Sequence, residues 1–290
     1  MMYQFSWELR KICRRTIRYL AVFLTALFFF FLFYKLQKEA IVNFSRKLYE
    51  LPASVLGFLG LKSQPDFLHG YTWLVYLLQV FQIGSALFAM YLGVFCMTGW
   101  EENRLSVFFL TKPVSRFQSW WKKQAAGLLA LLVSNAVLVL AETLFVYWVS
   151  ITIFRMRIWE IAGDILAVHL RLFFIQTLLF FLVGGLSLLF SKKSQSANLI
   201  FYTAVLSFLL AVWKEILDFS GFVMKELMHR QPGTVLTFLK KLSVLEKVSF
   251  FSWLNPIDPQ MIPMLPGILL LTGAALLNWM LFLHRDIREG

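Results

Sequence analysis

Six apolar stretches alternate along the chain with polar and basic segments. A helix needs about 20 predominantly apolar residues to cross a hydrocarbon core ~30 Å thick, and each stretch is close to that length or longer. The pattern therefore predicts an all-α integral membrane protein with one transmembrane domain over residues 19–290. The six predicted transmembrane helices cover about 19–36, 71–98, 124–150, 166–190, 194–216 and 262–283.

The charges between the spans predict their orientation. Lys and Arg are denser in one alternate set of connecting segments than in the other. Basic residues concentrate in the short segments on the cytoplasmic side of a membrane protein. The denser set comprises 1–18, 99–123, 191–196 and 284–290. Because this set includes both chain termini, the N and C termini are predicted to be cytoplasmic.

Two segments outside the spans have the pattern of amphipathic helices. In residues 1–18, one helical face carries Phe5, Leu9 and Ile12, and basic side chains occupy the rest of the wheel. This arrangement is typical of a helix that lies on a membrane surface, so an N-terminal interfacial helix is predicted. The segment 219–254 interleaves leucines with lysines and is predicted to form an outer amphipathic segment.

The composition agrees with a membrane location. Hydrophobic residues make up 59% of the 290 residues and charged residues only 15%, against about 45–50% and 25% in soluble domains. A soluble enzyme and a disulfide scaffold are excluded. The net charge of +12 does not predict nucleic-acid binding, because many of the basic residues flank apolar spans and contact lipid headgroups there.

The chain lacks the local motifs of catalysis. It has no GxxxxGK[ST] phosphate loop, no GxSxG turn and no pair of histidines at metal-ligand spacing. We therefore predict that the chain itself is not an enzyme and binds no metal or cofactor of its own.

Three charged residues fall within or beside predicted spans: Glu142, Arg171 and Lys214. At ~1.5 Å rise per residue, each lies ~27–29 Å from the inner end of its span, which is the outer boundary of the core. They are interpreted either as an interfacial ring of solvated or paired charges, or as an outer gate built on a Glu142–Arg171 ion pair. A self-powered carrier usually needs carboxylates at mid-depth, and the spans show none there.

The connection between the second and third spans, residues 100–123, predicts a short helix that meets a protein partner. Glu101 and Glu102 suit the positive N-terminal end of a helix, and Pro113 ends it. The apolar face of this helix comprises Leu105, Phe108 and Phe109. A helix that only lies on lipid would explain the basic residues of this segment, but it would explain the leading acidic pair less well.

This segment resembles the first cytoplasmic loop of the permease subunits of type-2 ABC transporters. That loop typically reads acidic-acidic-x-R-G-T-L, then an apolar patch, then S-K-P-V-S-R. The matching positions are Glu101, Glu102, Leu110, Lys112, Pro113, Val114, Ser115 and Arg116. Arg104 and Leu105 stand where the family usually has Gly-Thr. The likeness extends to the topology and to an Asn-Pro turn before the last span, at 255–256.

The resemblance implies a membrane subunit driven by ATP. Such a permease pairs with a second copy or a homologue in the lipid and docks on a separate ABC ATPase subunit, which binds ATP and Mg. It implies an exporter in a bacterial plasma membrane, with helix 100–113 passing movements of the ATPase to the spans. The residues predicted for this coupling are Glu101, Glu102, Arg104, Leu105, Phe108, Phe109, Lys112, Pro113 and Arg116.

Two other functions remain open from the sequence. One is a self-powered secondary carrier or channel, and the other is a membrane scaffold that does not transport. Neither would need an ATPase partner.

Overall fold

The structure is a computed structural model, and the regular structure it describes is helical. It describes residues 2–37, 71–99, 115–153, 158–190, 193–211 and 264–284, together with positions 39, 40, 43, 47, 50, 217, 220 and 223. Within these ranges there is no β-strand, as the sequence predicts. The predicted outer segment 219–254 lies outside the described residues apart from two of these positions.

Six long helices are present in the described ranges: α1 Met2–Leu36, α2 Tyr71–Thr98, α3 Arg116–Ile153, α4 Ile158–Ser187, α5 Lys193–Ala211 and α6 Met264–His284. All except α5 contain a stretch long and apolar enough to cross a membrane, as expected of a multi-pass membrane protein. The apolar part of α5, Asn198–Leu210, is shorter. A fifth span at 194–216, and hence a total of six, stays a prediction.

The structure differs from the prediction at the N-terminus. The predicted interfacial segment 1–18 and the first span form one helix, α1, of 35 residues, which is ~52 Å long at 1.5 Å per residue. No Gly or Pro between positions 2 and 36 interrupts it. Ile12 is buried in the same apolar cluster as Phe88 and Cys96. The apolar face near the N-terminus therefore packs against protein as well as facing the membrane.

Contacts between side chains fix the directions of the helices. Because Arg15 stacks on Phe95, at 3.7 Å from the ring centroid, and Tyr19 stacks on Phe88 further along, α1 and α2 run antiparallel. The start of α3 meets the end of α6, where Phe117 packs against Trp279. The end of α4 lies near the end of α6, because a Cβ on Gly185 would be 3.0 Å from the Asn278 Cα. One end of the bundle, called here the termini end, therefore contains the start of α1, the end of α2, the start of α3 and the ends of α4 and α6.

The backbones of α2 and α4 approach each other closely. A Cβ atom on Gly93 would clash with the backbone oxygen of Phe180, and one on Gly184 would lie 2.8 Å from the oxygen of Gly93. Small residues allow the backbones of two membrane helices to approach in this way. A buried apolar cluster continues the contact along both helices: Ala86, Met90, Val94, Leu172, Ile175, Leu179 and Val183.

Candidate functional site

Most of the predicted coupling residues lie outside the part of the chain that the structure describes. These are Glu101, Glu102, Arg104, Leu105, Phe108, Phe109, Lys112 and Pro113. Their roles stay predictions. What the structure does describe is where the segment begins and ends, because Gly99 closes α2 and Arg116 opens α3 at the termini end of the bundle.

Arg116 connects the start of α3 to the end of α6. Its side chain is exposed, and its Nη1 donates a hydrogen bond of 2.6 Å to the backbone oxygen of Leu283. The last carbonyl groups of a helix have no partner within the helix, and a cation is favourable near them. Arg116 therefore satisfies one of these carbonyls and ties the segment that precedes it to α6.

One buried asparagine joins three helices about one turn deeper into the bundle. The Oδ1 of Asn278, on α6, accepts hydrogen bonds from Trp120 Nε1 at 2.8 Å and from Gln124 Nε2 at 3.1 Å, both on α3. Its Nδ2 donates to the backbone oxygen of Phe181 on α4, at 2.8 Å. Gly185 makes room for this contact, since a Cβ there would lie 3.0 Å from the Asn278 Cα. A displacement of α3 at this level must therefore act on α4 and α6.

Other polar side chains are buried at the same level. Lys123, on α3, is 1% exposed, and its ammonium lies 5.9 Å from the ring centroid of Phe282. Glu8, on α1, is buried within electrostatic reach of Lys123. Within the described residues, Glu8 Oε1 and Gln124 Oε1 have no hydrogen-bond partner. The interior of the termini end therefore contains polar side chains, with one acidic and one basic residue among them.

A second polar network lies on the other side of the apolar core, between α3 and α4. Glu142 Oε2 is 3.0 Å from His169 Nε2, and both side chains are 2% exposed. His169 Nδ1 is 3.2 Å from Asn135 Oδ1, and Asn135 Nδ2 donates to Gln176 Oε1. Four polar side chains thus form a continuous chain inside two helices that are each apolar enough to span a membrane.

The structure corrects the predicted partner of Glu142. Glu142 pairs with His169 rather than with Arg171, and its side chain is buried. The reason is helical geometry: Arg171 follows His169 by two residues, about 200° around α4, so the two side chains cannot both face α3. Of the two forms of the interfacial ring, the paired form stays a prediction. Lys214 lies outside the described residues, and an outer gate at these three positions stays a prediction.

The sequence contains a signal for this network that a residue-by-residue survey of charges misses. Asn135 and Glu142 are seven residues apart on α3, and His169 and Gln176 are seven residues apart on α4. Seven residues are nearly two helical turns, so each pair lies on one face. In antiparallel helices, two pairs with this spacing can meet at two levels, here Asn135 with Gln176 and Glu142 with His169.

No group of three or more His, Cys, Asp or Glu side chains that could hold a metal ion occurs among the described residues. The side chains of the α3–α4 network are two amides, one carboxylate and one imidazole. Their chemistry is hydrogen bonding and proton exchange.

Comparison with protein-family models, with curated proteins and with solved structures finds no match for this chain. The functional interpretation therefore rests on the residues of the chain itself.

Proposed function

We propose that this chain is the membrane subunit of an ATP-driven ABC transporter of the type-2 class, acting as an exporter in a bacterial plasma membrane. The observation that carries the proposal is the segment 101–116, with its acidic pair and its Lys-Pro-Val-Ser-Arg sequence. In this proposal the segment docks on a separate ATPase subunit that supplies ATP and Mg. A second copy of the chain or a homologue completes the pathway.

The contacts at the termini end support a route for mechanical coupling. The proposed docking segment connects α2 to α3, and its last residue, Arg116, bonds to the end of α6. Four residues further along α3, Trp120 bonds to Asn278, which in turn bonds to α4. A force that the ATPase applies to the segment would reach α3, α4 and α6 through the side chains of Arg116, Trp120 and Asn278.

The test is purification from the native membrane in a mild detergent, followed by identification of bound proteins. We expect a stoichiometric partner that carries a phosphate loop. The double substitution Glu101→Lys with Glu102→Lys reverses the charge of the docking helix. It is expected to uncouple ATP hydrolysis from transport and to leave membrane insertion intact.

The matched control is Glu39→Lys with Glu50→Lys, which makes the same charge change at two exposed positions of the segment that follows α1. This control is expected to retain the partner and its coupled ATP hydrolysis. The proposal is wrong if no protein with a phosphate loop accompanies the chain, or if the Glu101/Glu102 variant couples as well as the control.

One observation favours a second function, a self-powered carrier. The Glu142–His169 pair is an ionisable group buried inside two candidate spans, and such groups commonly mark ion or proton pathways. Reconstitution of the purified chain alone distinguishes the two functions. A carrier responds to an imposed ion gradient without any partner, whereas the proposed permease needs the ATPase and ATP.

A further inference from the structure

We propose that Glu142 and His169 form a proton-binding site, in which one proton is held between Glu142 Oε2 and His169 Nε2. The inference rests on the hydrogen-bond directions of the α3–α4 network and does not depend on the ATP-driven transporter proposal. The ligand is a proton, and the site lies inside the two candidate spans Arg116–Trp148 and Ala162–Ser187.

The orientation of the Asn135 amide is the first step. One of its terminal atoms lies 2.8 Å from the backbone oxygen of Leu131. A carbonyl oxygen only accepts hydrogen bonds, so the atom facing it is Nδ2. The same Nδ2 donates its second hydrogen to Gln176 Oε1. Both hydrogens of the amide are thereby used, and Oδ1 is the atom that faces His169.

The state of the imidazole follows from that orientation. Asn135 Oδ1 lies 3.2 Å from His169 Nδ1, and an amide oxygen has no hydrogen to donate. His169 Nδ1 must therefore carry a hydrogen and donate it. With Nδ1 protonated, a neutral imidazole presents an unprotonated Nε2 to Glu142.

Repulsion between lone pairs requires a proton between His169 Nε2 and Glu142 Oε2. Nε2 and Oε2 lie 3.0 Å apart, and without a proton each would direct a lone pair at the other. One proton removes this repulsion in either of two ways: imidazolium with carboxylate, or imidazole with carboxylic acid. Both forms have zero net charge, which is the state that a site with 2% exposure of each partner favours.

Among the described residues, no other titratable side chain is recorded as an ion-pair partner of Glu142 or His169. On α1, Tyr19 is within electrostatic reach of Glu142, and its hydroxyl bonds to Ser85 on α2. Residues 81–99 of α2 contain no Asp, Glu, Lys, Arg or His. The other titratable groups on the described parts of the six helices are Glu8, Arg10, Lys11, Cys13, Arg14, Arg15, Arg18 and Lys35 on α1, Tyr91 and Cys96 on α2, Arg116, Lys122, Lys123 and Tyr147 on α3, Asp164 and Arg171 on α4, Tyr202 on α5 and His284 on α6.

The proton is linked to the arrangement of the helices, because Nε2 belongs to α4 and Oε2 to α3. A movement that separates α4 from α3 breaks the bond and leaves each group to gain or lose a proton by itself. If the two arrangements of the helices differ in their affinity for the proton, binding of the proton shifts the equilibrium between them. The site is therefore suited to couple proton uptake to a movement of α3 against α4.

The test is solid-state NMR on the purified full chain in lipid, labelled with 15N-histidine and 13C-glutamate. Substituting Gln for His69, His229 and His284 leaves His169 as the only histidine and assigns its signals. We expect a protonated Nδ1, a cross-peak between Nε2 and one glutamate carboxyl carbon, and a single proton shared by that pair. The carboxyl shift then reports which of the two forms is present.

The variant Glu142→Gln distinguishes a proton-binding site from a contact that serves only packing. The new amide can donate to Nε2, so His169 is expected to keep Nδ1 protonated and to have an unprotonated Nε2, with loss of the carboxyl cross-peak. The proposal is overturned if Nδ1 is unprotonated in the unsubstituted site. It is also overturned if Nε2 is unprotonated while the carboxyl carbon beside it is ionised. Both readouts come from the chain with Glu142 intact, so a failure of Glu142→Gln to fold does not prevent the decision.

Discussion

Asn278 shows how much one polar side chain does in this bundle. Lipid is as apolar as Leu, so the helices gain little from burying apolar surface against each other, and packing and hydrogen bonds hold them together. Asn278 is fully buried and uses both ends of its amide, with Trp120 and Gln124 on one side and the backbone of Phe181 on the other.

We predict that Asn278→Ala destabilises the protein by about 1–3 kcal/mol. Bonds between membrane helices contribute ~0.6 kcal/mol on average and up to ~1.7 kcal/mol, and three are lost here. Ala keeps the Cβ that Gly185 already accommodates. The measurement is thermal or denaturant unfolding in detergent. The control is Asn198→Ala at an exposed position of α5, and equal unfolding midpoints for the two variants would contradict the assigned role.

The Glu142–His169 pair leads to a second prediction at this scale. Removing one partner of a buried pair leaves an uncompensated polar group, which costs about 3 kcal/mol or more. His169→Leu is therefore expected to lower the free energy of unfolding by about that amount. The double variant Glu142→Leu with His169→Leu removes both polar groups and should recover part of the loss. If the double variant is as unstable as the sum of the two single variants, the pair is not energetically coupled.

At the scale of elements, the contact between α2 and α4 depends on the absence of side chains. Gly93 and Gly184 face each other so closely that a methyl group on either would contact backbone atoms, which cannot move aside. These glycines are costly within a helix by themselves, since Gly is about 1 kcal/mol less favourable than Ala there. Their position is explained by the approach of the two backbones.

We predict that Gly184→Ala destabilises the protein by about 1–3 kcal/mol, as overpacking does in a filled interior. The matched control is Gly163→Ala on the same helix, where an added Cβ meets nothing within 4 Å. That control should be neutral or slightly stabilising, because Ala is the better helix former. Unfolding of both variants in the same detergent is the comparison, and a loss at Gly163→Ala equal to that at Gly184→Ala would show that the contact is unimportant.

The elements also show where pattern and packing differ. The periodicity of apolar residues predicts a surface helix over residues 1–18, and the helix is there, but the structure continues it directly into the first span. Pattern specifies that Ile12 belongs to an apolar face. It does not specify whether that face meets lipid or protein, because both are apolar. The burial of Ile12 in an apolar cluster with side chains of other helices is a property of the assembled bundle.

For the whole molecule, the start of α1 and the end of α6 lie at the same end of the bundle as the proposed docking segment. This follows from contacts such as Arg116 with Leu283 and Arg15 with Phe95. The density of basic residues in the sequence predicts that this end faces the cytoplasm. The two statements are independent, and one experiment tests both.

We predict that a membrane-impermeant thiol reagent labels Cys13, which is exposed, in inside-out vesicles and not in intact cells. A cysteine placed at exposed position 284 by His284→Cys, in a Cys13→Ser background, should react from the same side. Cys96 is buried and serves as the internal negative control. Reaction of the two reporters from opposite sides would contradict the arrangement of the helices, and reaction of both in intact cells would reverse the orientation.

The sequence by itself determined that the protein is helical and apolar enough for a membrane. The predicted spans 71–98 and 262–283 agree with α2 and α6 within two residues, whereas α3 and α4 begin eight residues before the predicted spans 124–150 and 166–190. These properties depend on the local order of apolar and polar residues. The sequence also singled out Glu142, but it suggested Arg171 as the partner, whereas the structure has His169. Only the tertiary structure decided that Glu142 faces His169 and that Asn278 joins α3, α4 and α6. The physical reason is that these contacts depend on the relative rotation and height of separate helices, which the order of residues within each helix does not specify.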